Sequence, residues 1–332
     1  MQGLFIALFC VLIVAVILIP VYLTYVVLCF IARRKPVKLF EKLAGGVHGA
    51  IAEKVDDPDK YVLTDREVKD KAAALKAKGP ERMEMTGKGG LTLVAYMYRA
   101  DVKTDKLALL CHGCRSNGLE EFAFISDYYH ARNYDILMVD HRACGESQGK
   151  YMTFGLIESE DSLMWLQRAL KENCYKKAVI HGVSMGAATV LMMSGKPLPP
   201  QTQCIIAESS YTSAWDQYRY ILKDVMHLPV FPLLHALNAM SKAVAFDFKK
   251  ANPLEAVRKA QVPVLFFHGG ADTFVPEFMS RELYEACSAD IKEYHEINDS
   301  IHARCYVTDT AECERIMDKF IERAEIAGYG SC

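Results

Sequence analysis

The pentapeptide Gly182-Val183-Ser184-Met185-Gly186 is where residue types and spacing point most directly to chemistry. It follows the apolar stretch 178–180 at once and opens a helical stretch over 187–194. Strand, sharp turn and helix in that order make a nucleophile elbow. The turn is too tight for side chains at Gly182 and Gly186, and the serine stands at its corner, at the carboxyl edge of a sheet. Glycine and serine are common, so the bare pattern reads equally well as a structural turn; the flanking strand and helix favour a reactive Ser184.

A serine hydroxyl is a poor nucleophile until a base takes its proton. In this arrangement the acid and then the base follow the serine along the chain. Asp272, in His268-Gly269-Gly270-Ala271-Asp272, lies just past an apolar strand ending at Phe267. His302, in Asp299-Ser300-Ile301-His302-Ala303, follows the last strand. The rival base is His295, which falls within that strand and ranks below His302. The rival acid is Glu208, which ends the strand before an aromatic-rich segment. Acyl transfer also needs two N–H donors aimed at the developing oxyanion. The backbone N–H groups of Met185 and of Cys114, in the loop His112-Gly113-Cys114-Arg115, are the candidates, with His112 tying that loop down.

These residues require a particular scaffold. Short apolar runs at 107–111, 136–139, 178–180, 204–207 and 262–267 alternate with helical stretches near 119–132, 157–173, 185–194 and 277–287. A last strand near 291–297 precedes a helix near 310–327, and 82–86 with 91–99 read as a hairpin around Gly87-Lys88-Gly89-Gly90. Continuous apolar strands alternating with helices mean a mostly parallel sheet covered on both faces. Residues 211–250 break the rhythm with Trp215, Tyr218, Tyr220, Phe231, Phe246 and Phe248, and read as a helical cap. Such a cap either lines an apolar acyl pocket or packs on the sheet.

In sequence order, His112-Gly113, Asp140 through Ser147, the elbow, and His268-Gly269 through Val275-Pro276 resemble the landmarks of serine hydrolases of the α/β-hydrolase superfamily. The resemblance covers about residues 81–327 and extends to bacterial membrane-anchored members of unassigned substrate, through Arg142-Ala143-x-Gly145, 181–191, Phe274-Val275-Pro276 and 283–287. It implies an α/β-hydrolase fold and ester, thioester or peptide substrates. Two departures stand out: Cys144 replaces a usual histidine, and Asn298-Asp299-Ser300-Ile301 replaces a Gly-rich approach to the histidine loop.

The composition bounds the remaining choices. With 51% hydrophobic and 24% charged residues, the chain is a core-forming one and not a disordered one. A net charge of -2 leaves no basic footprint for nucleic acid. Eleven cysteines in 332 residues do not make a small disulfide scaffold. Cys111-x-x-Cys114 has no second Cys or His pair for zinc, and no phosphate-binding glycine motif or H-E-x-x-H occurs, so neither cofactor nor metal is expected. Residues 4–32 carry no charge and are long enough to cross a bilayer, with Pro20 compatible with a kink. A secretory signal fits poorly, lacking a basic start and a cleavage site. Arg33, Arg34, Lys35 and Lys38 follow the run, which places the main domain in the cytoplasm. Cys29 offers a thiol for S-acylation, although a lipid-facing cysteine is the simpler reading.

The expected organisation is thus a transmembrane anchor over 1–32, a juxtamembrane helical stalk over 33–80, and an α/β-hydrolase domain over 81–332 with a cap at about 211–250. The expected activity is hydrolysis of carboxylic esters, including lipophilic acyl esters or thioesters, by Ser184, His302 and Asp272 through an acyl-enzyme. The alternatives are a serine peptidase or protein deacylase on the same triad, and a catalytically silent, membrane-tethered binding module.

Overall fold

The computed structural model describes Ala32 and residues 65–330. The expected span, Ala32 apart, and stalk residues 33–64 lie outside the described residues, as does Cys29. Among the described residues no helix is long and apolar enough to cross a membrane.

Among the described residues, eight strands form one sheet in the order β1-β2-β4-β3-β5-β6-β7-β8. They are β1 (Glu81–Thr86), β2 (Thr92–Tyr98), β3 (Lys106–Cys111), β4 (Asp135–Val139), β5 (Lys177–Val183), β6 (Thr202–Glu208), β7 (Val264–Gly269) and β8 (Lys292–Ile297). β1 and β2 pair antiparallel, as the hairpin signal predicted, and β2 pairs antiparallel with β4. All other pairings are parallel.

The strands are apolar along their whole length because the sheet is covered on both faces. In β3, Leu107, Leu109 and Cys111 enter one core with Trp165, Leu166, Val190 and Leu283. Ala108 and Leu110, pointing the other way, enter a second core with Leu75, Phe122, Tyr128 and Phe320. The first face carries α4 (Glu158–Asn173), α5 (Met185–Ser194), α8 (Pro253–Val257) and α9 (Phe278–Ala286). The second carries α1 (Asp65–Ala77), α2 (Gly118–Glu121), α3 (Ile125–Ala131), α10 (Cys305–Thr308) and α11 (Thr310–Ile326).

Three details differ from the sequence reading. The helix expected near 119–132 is two short helices, α2 and α3. Strands β5 and β6 run further than their apolar cores, through Val183 and Glu208, which brings both residues to the carboxyl edge. Helix α1, at the end of the expected stalk, lies on the domain, with Leu75 buried and Lys71 Nζ 2.6 Å from Asp127 Oδ2.

Between β6 and β7, residues 211–250 fold as α6 (Ala214–Tyr220), a π-turn (Ile221–Val225), α7 (Val230–Val244) and a 3-10 turn (Phe248–Lys250). Phe154, Tyr218, Phe246 and Phe248 pack ring against ring here, edge-on, tilted or stacked, with centroids 4.9–5.7 Å apart. Leu234, Leu237, Met152 and Met185 join this third core, and so does fully buried Ala32. The Ala32 carbonyl accepts a hydrogen bond from the Met152 N–H at 2.8 Å.

Candidate active site

The elbow is shaped by two close approaches. A Cβ on Gly182 would lie 2.2 Å from the Gly186 carbonyl oxygen, and one on Gly186 would lie 1.7 Å from the Cys111 carbonyl oxygen. Both contacts are to backbone, which cannot swing aside. The turn between them forces Ser184 to φ 55° and ψ −117°, a conformation that costs on the order of 1–3 kcal/mol for a non-glycine residue. Bonds on either side hold it there: Ser184 N–H donates to the Glu208 carbonyl at 2.8 Å, and Ala188 N–H to the Ser184 carbonyl at 3.0 Å.

His302 reaches the same edge from the loop after β8. Without the Gly-rich approach, Asp299 and Ala303 themselves adopt left-handed φ of 61° and 57°. Backbone bonds from Gly270 N–H to Ile297 O (2.9 Å) and from Ala271 N–H to Ser300 O (2.9 Å) stitch this loop to the loop carrying Asp272.

Three of the residues singled out in the sequence therefore meet in one hydrogen-bonded line. His302 Nε2 is 2.9 Å from Ser184 Oγ, and His302 Nδ1 is 2.7 Å from Asp272 Oδ2. The carboxylate requires Nδ1 to carry the proton, which leaves Nε2 as the acceptor facing the serine. Asp272 is buried and fully engaged: Oδ1 accepts from Phe274 N–H at 3.0 Å and Val275 N–H at 2.8 Å, and Oδ2 lies 3.3 Å from His268 Nε2. His268 donates that same Nε2–H toward the Val275 carbonyl at 2.8 Å and accepts from Ser280 Oγ at 2.6 Å.

The electrostatics follow from these contacts. Burial on its own would raise the Asp272 carboxyl, but His302 and the His268 donor outweigh it and hold Asp272 well below the ordinary carboxylate range. Burial on its own would lower His302, but Asp272, with Glu121 and Glu208 adding to the field, raises it above its ordinary value.

The loop after β3 lies against the serine. A Cβ on Gly113 would sit 3.4 Å from Ser184 Cβ and 3.4 Å from Glu121 Oε2. Cys114 follows Gly113 directly. Met185 is the first residue of α5, so its N–H has no carbonyl to reach within the helix. His112 pins the loop, as expected: Nδ1 donates to the Gly113 carbonyl at 2.6 Å and Nε2 accepts from His141 N–H at 3.0 Å. Burial pushes its pKa down to about 4, so it remains neutral.

The rival candidates are placed elsewhere. His295 lies on β8 and pairs with Glu293 at 3.0 Å. Glu208 is buried at the end of β6, and its Oε1 accepts from Cys305 N–H at 2.9 Å instead of meeting the imidazole. Cys111 is buried in β3 and Cys114 is exposed; both are free thiols. Cys144, in place of the usual histidine, is buried in the apolar third core. Among the described residues no group of three or more His, Cys, Asp or Glu side chains could hold a metal ion. His268 and Ser280 support Asp272 without any signal of that role in the sequence, where His268 stands out only as part of the His268-Gly269 landmark and the motif ending at Asp272.

Comparison with known proteins fits this picture. A family model described as "Serine hydrolase (FSH1)" matches residues 148–299, which include Ser184 and Asp272. Bacillus subtilis YqkD is 26% identical over 73% of this chain and 81% of its own length. Schizosaccharomyces pombe bem46 is 25% identical over 67% of this chain and 70% of its own length. The Saccharomyces cerevisiae membrane protein YNL320W is 24% identical over 74% of this chain and 81% of its own length. Among solved structures, the Pyrococcus furiosus esterase Pf2001 superposes with a TM-score of 0.60 at 21% identity, covering 80% of this chain and 96% of that one. The chain has the α/β-hydrolase fold and is a serine hydrolase.

The close approaches at the elbow make a direct prediction. Gly186→Ala, which forces a methyl group onto the Cys111 carbonyl, destabilises the fold by about 3 kcal/mol or more. A thermal melt of the variant within a degree of the parent would contradict this.

Proposed function

We propose that the chain is a membrane-anchored hydrolase of carboxylic esters acting through a Ser184–His302–Asp272 triad. The observation that carries this reading is the unbroken line of hydrogen bonds from Ser184 Oγ through His302 to buried Asp272. In this mechanism Ser184 Oγ attacks the acyl carbonyl while His302 Nε2 accepts its proton. The oxyanion is held by the N–H groups of Cys114 and Met185. As the tetrahedral intermediate collapses, His302 returns the proton to the departing alcohol. Water then attacks the acyl-enzyme, giving its proton to His302, and Ser184 leaves with a proton restored. Asp272 holds the imidazole in the required tautomer and stabilises its charged form without itself taking a proton.

An apolar acyl group is supported by Met185, next to Ser184 in the chain, and by Met152, whose Sδ lies 3.8 Å from Cys114 Sγ; both belong to the third core. The Pyrococcus neighbour bears the name esterase. Anchoring is supported by the uncharged run 4–32 and the basic residues after it. The yeast relative is called a membrane protein.

A fluorophosphonate probe is expected to label the full-length, detergent-solubilised protein at Ser184, and peptide mapping locates the adduct. Ser184→Ala should abolish labelling and lower kcat on p-nitrophenyl esters by roughly 10⁴-fold or more. Retained labelling or turnover in that variant would sink the assignment.

The base acts when neutral, so kcat/KM should rise with pH as His302 loses its proton. Because Asp272 raises His302, the midpoint lies above the ordinary imidazole value of 6.5. Asp272→Asn removes that influence: the midpoint moves down and the plateau rate falls by about 10³- to 10⁴-fold. An unshifted midpoint in the variant would show that another group titrates.

Expressed as the full chain, the protein should stay in the membrane pellet through alkaline carbonate extraction. Release into the supernatant would remove the anchoring reading while leaving the triad untouched.

A further inference from the structure

We propose that Glu208 is a positioning residue that fixes the separation of Ser184 and His302 by binding the nucleophile's turn and the base's loop at one point. The inference rests on the triad reading and extends it to a residue that touches neither the substrate nor the imidazole.

The geometry is specific. Through its backbone, Glu208 closes the β5–β6 ladder opposite Val183, and its carbonyl accepts the Ser184 N–H at 2.8 Å. Through its side chain, Oε1 accepts the N–H of Cys305 at 2.9 Å. Cys305 is three residues after His302 and is the first residue of α10. That N–H is one a helix start leaves without an internal partner, and no nearby side chain caps it. A carboxylate from a strand 97 residues away supplies the bond. Next in sequence, Ser209 repeats the pattern: its N–H donates to the Phe267 carbonyl at 2.9 Å and its Oγ receives the Ala303 N–H at 3.4 Å.

These ties act where the loop most needs them. The His302 loop leaves β8, which is separated from β6 by β7, and must cross the end of β7 to reach Ser184 on the far side of β6. Asp272 orients the ring but sits on the β7 side. Glu208, with Ser209 next to it, joins the loop's outgoing backbone to the strand end beside the nucleophile, and the Glu208 bond is the shorter of the two. It is buried, yet it lines a cavity of about 40 Å³ shared with Glu121, Val183, Ala303 and Arg304, which has room for a water molecule. A buried carboxylate is thereby tolerated with one oxygen bound to backbone.

Acceptor position and charge can be separated by substitution. Glu208→Gln keeps an oxygen at the same reach. Glu208→Asp keeps the charge but is one methylene too short for Cys305. Glu208→Ala removes both. If Glu208 sets the Ser–His distance, Ala and Asp lower kcat on a p-nitrophenyl ester by roughly 30- to 100-fold, since misplacement of reacting groups by about 1 Å costs that much. KM stays within about twofold, and the fluorophosphonate inactivation rate falls in parallel with kcat. Gln rescues, remaining within about threefold of the parent. Melting curves identify any variant that fails to fold; should Ala be lost that way, the Asp and Gln pair decides. The proposal is overturned if folded Asp or Ala retains parental kcat, or if Gln is as impaired as Ala. Loss of Ser184 dependence in the parent would instead overturn the triad reading itself. Unimpaired Glu208 variants in a parent that still requires Ser184 reject only the role of Glu208.

Discussion

The Cys111 carbonyl leaves no space for a side chain at position 186, and the geometry of the site descends from that contact. The helix after the serine can pass so close to β3 only because residue 186 is glycine, and the chain can double back so sharply only because residue 182 is glycine. The strain this puts on Ser184 is carried by a sheet whose central strands are buried on both faces and cannot relax toward the turn. The serine stands at its corner, its hydroxyl turned to His302, because the backbone has no other way to go, and the start of α5 comes with it.

Against that rigid corner stands a softer assembly, the loop of His302. Its charge is governed by opposing influences. Burial favours neutral groups at both Asp272 and His302, and each overcomes it through the other. Neighbours keep the balance one-sided. His268 and two backbone N–H groups occupy the remaining lone pairs of Asp272, so its charge is directed along one line toward the imidazole. Glu208, whose burial raises its pKa, meets a backbone N–H instead. Two carboxylates at the carboxyl edge of adjacent strands thus have different environments.

Much of this was legible in the sequence, because the relevant signals are local. A glycine-flanked serine between an apolar run and a helix declares its own geometry. Strands buried on both faces advertise themselves as unbroken apolar runs, and the chain order of Asp272 and His302 narrowed the acid and base to a few residues. What was not legible is relational. Asp272 and Glu208 both follow strands, and only the fold shows which one the imidazole faces. The break between α2 and α3 has no glycine or proline to mark it, since Phe122 is buried against the sheet through the interruption. Helices α8 and α10 are too short to show a period. The bond between Glu208 and Cys305 joins residues 97 apart and leaves no trace in either neighbourhood.

The two outer strands of the sheet have a consequence for how the molecule tolerates company. An open sheet offers unpaired amides along each border, a template onto which another chain can add. Here β1 presents Glu81, Arg82 and Glu84, with Arg82 bridged at 2.6 Å to both Glu84 and Glu146. At the far border β8 presents Lys292, Glu293 and Glu296, the two glutamates paired with Arg323 and Arg281. An incoming strand would have to strip water from charges on either side before making a single bond. Neighbouring copies held at high density, as molecules confined to a surface are, can therefore collide border to border without fusing into a continuous sheet.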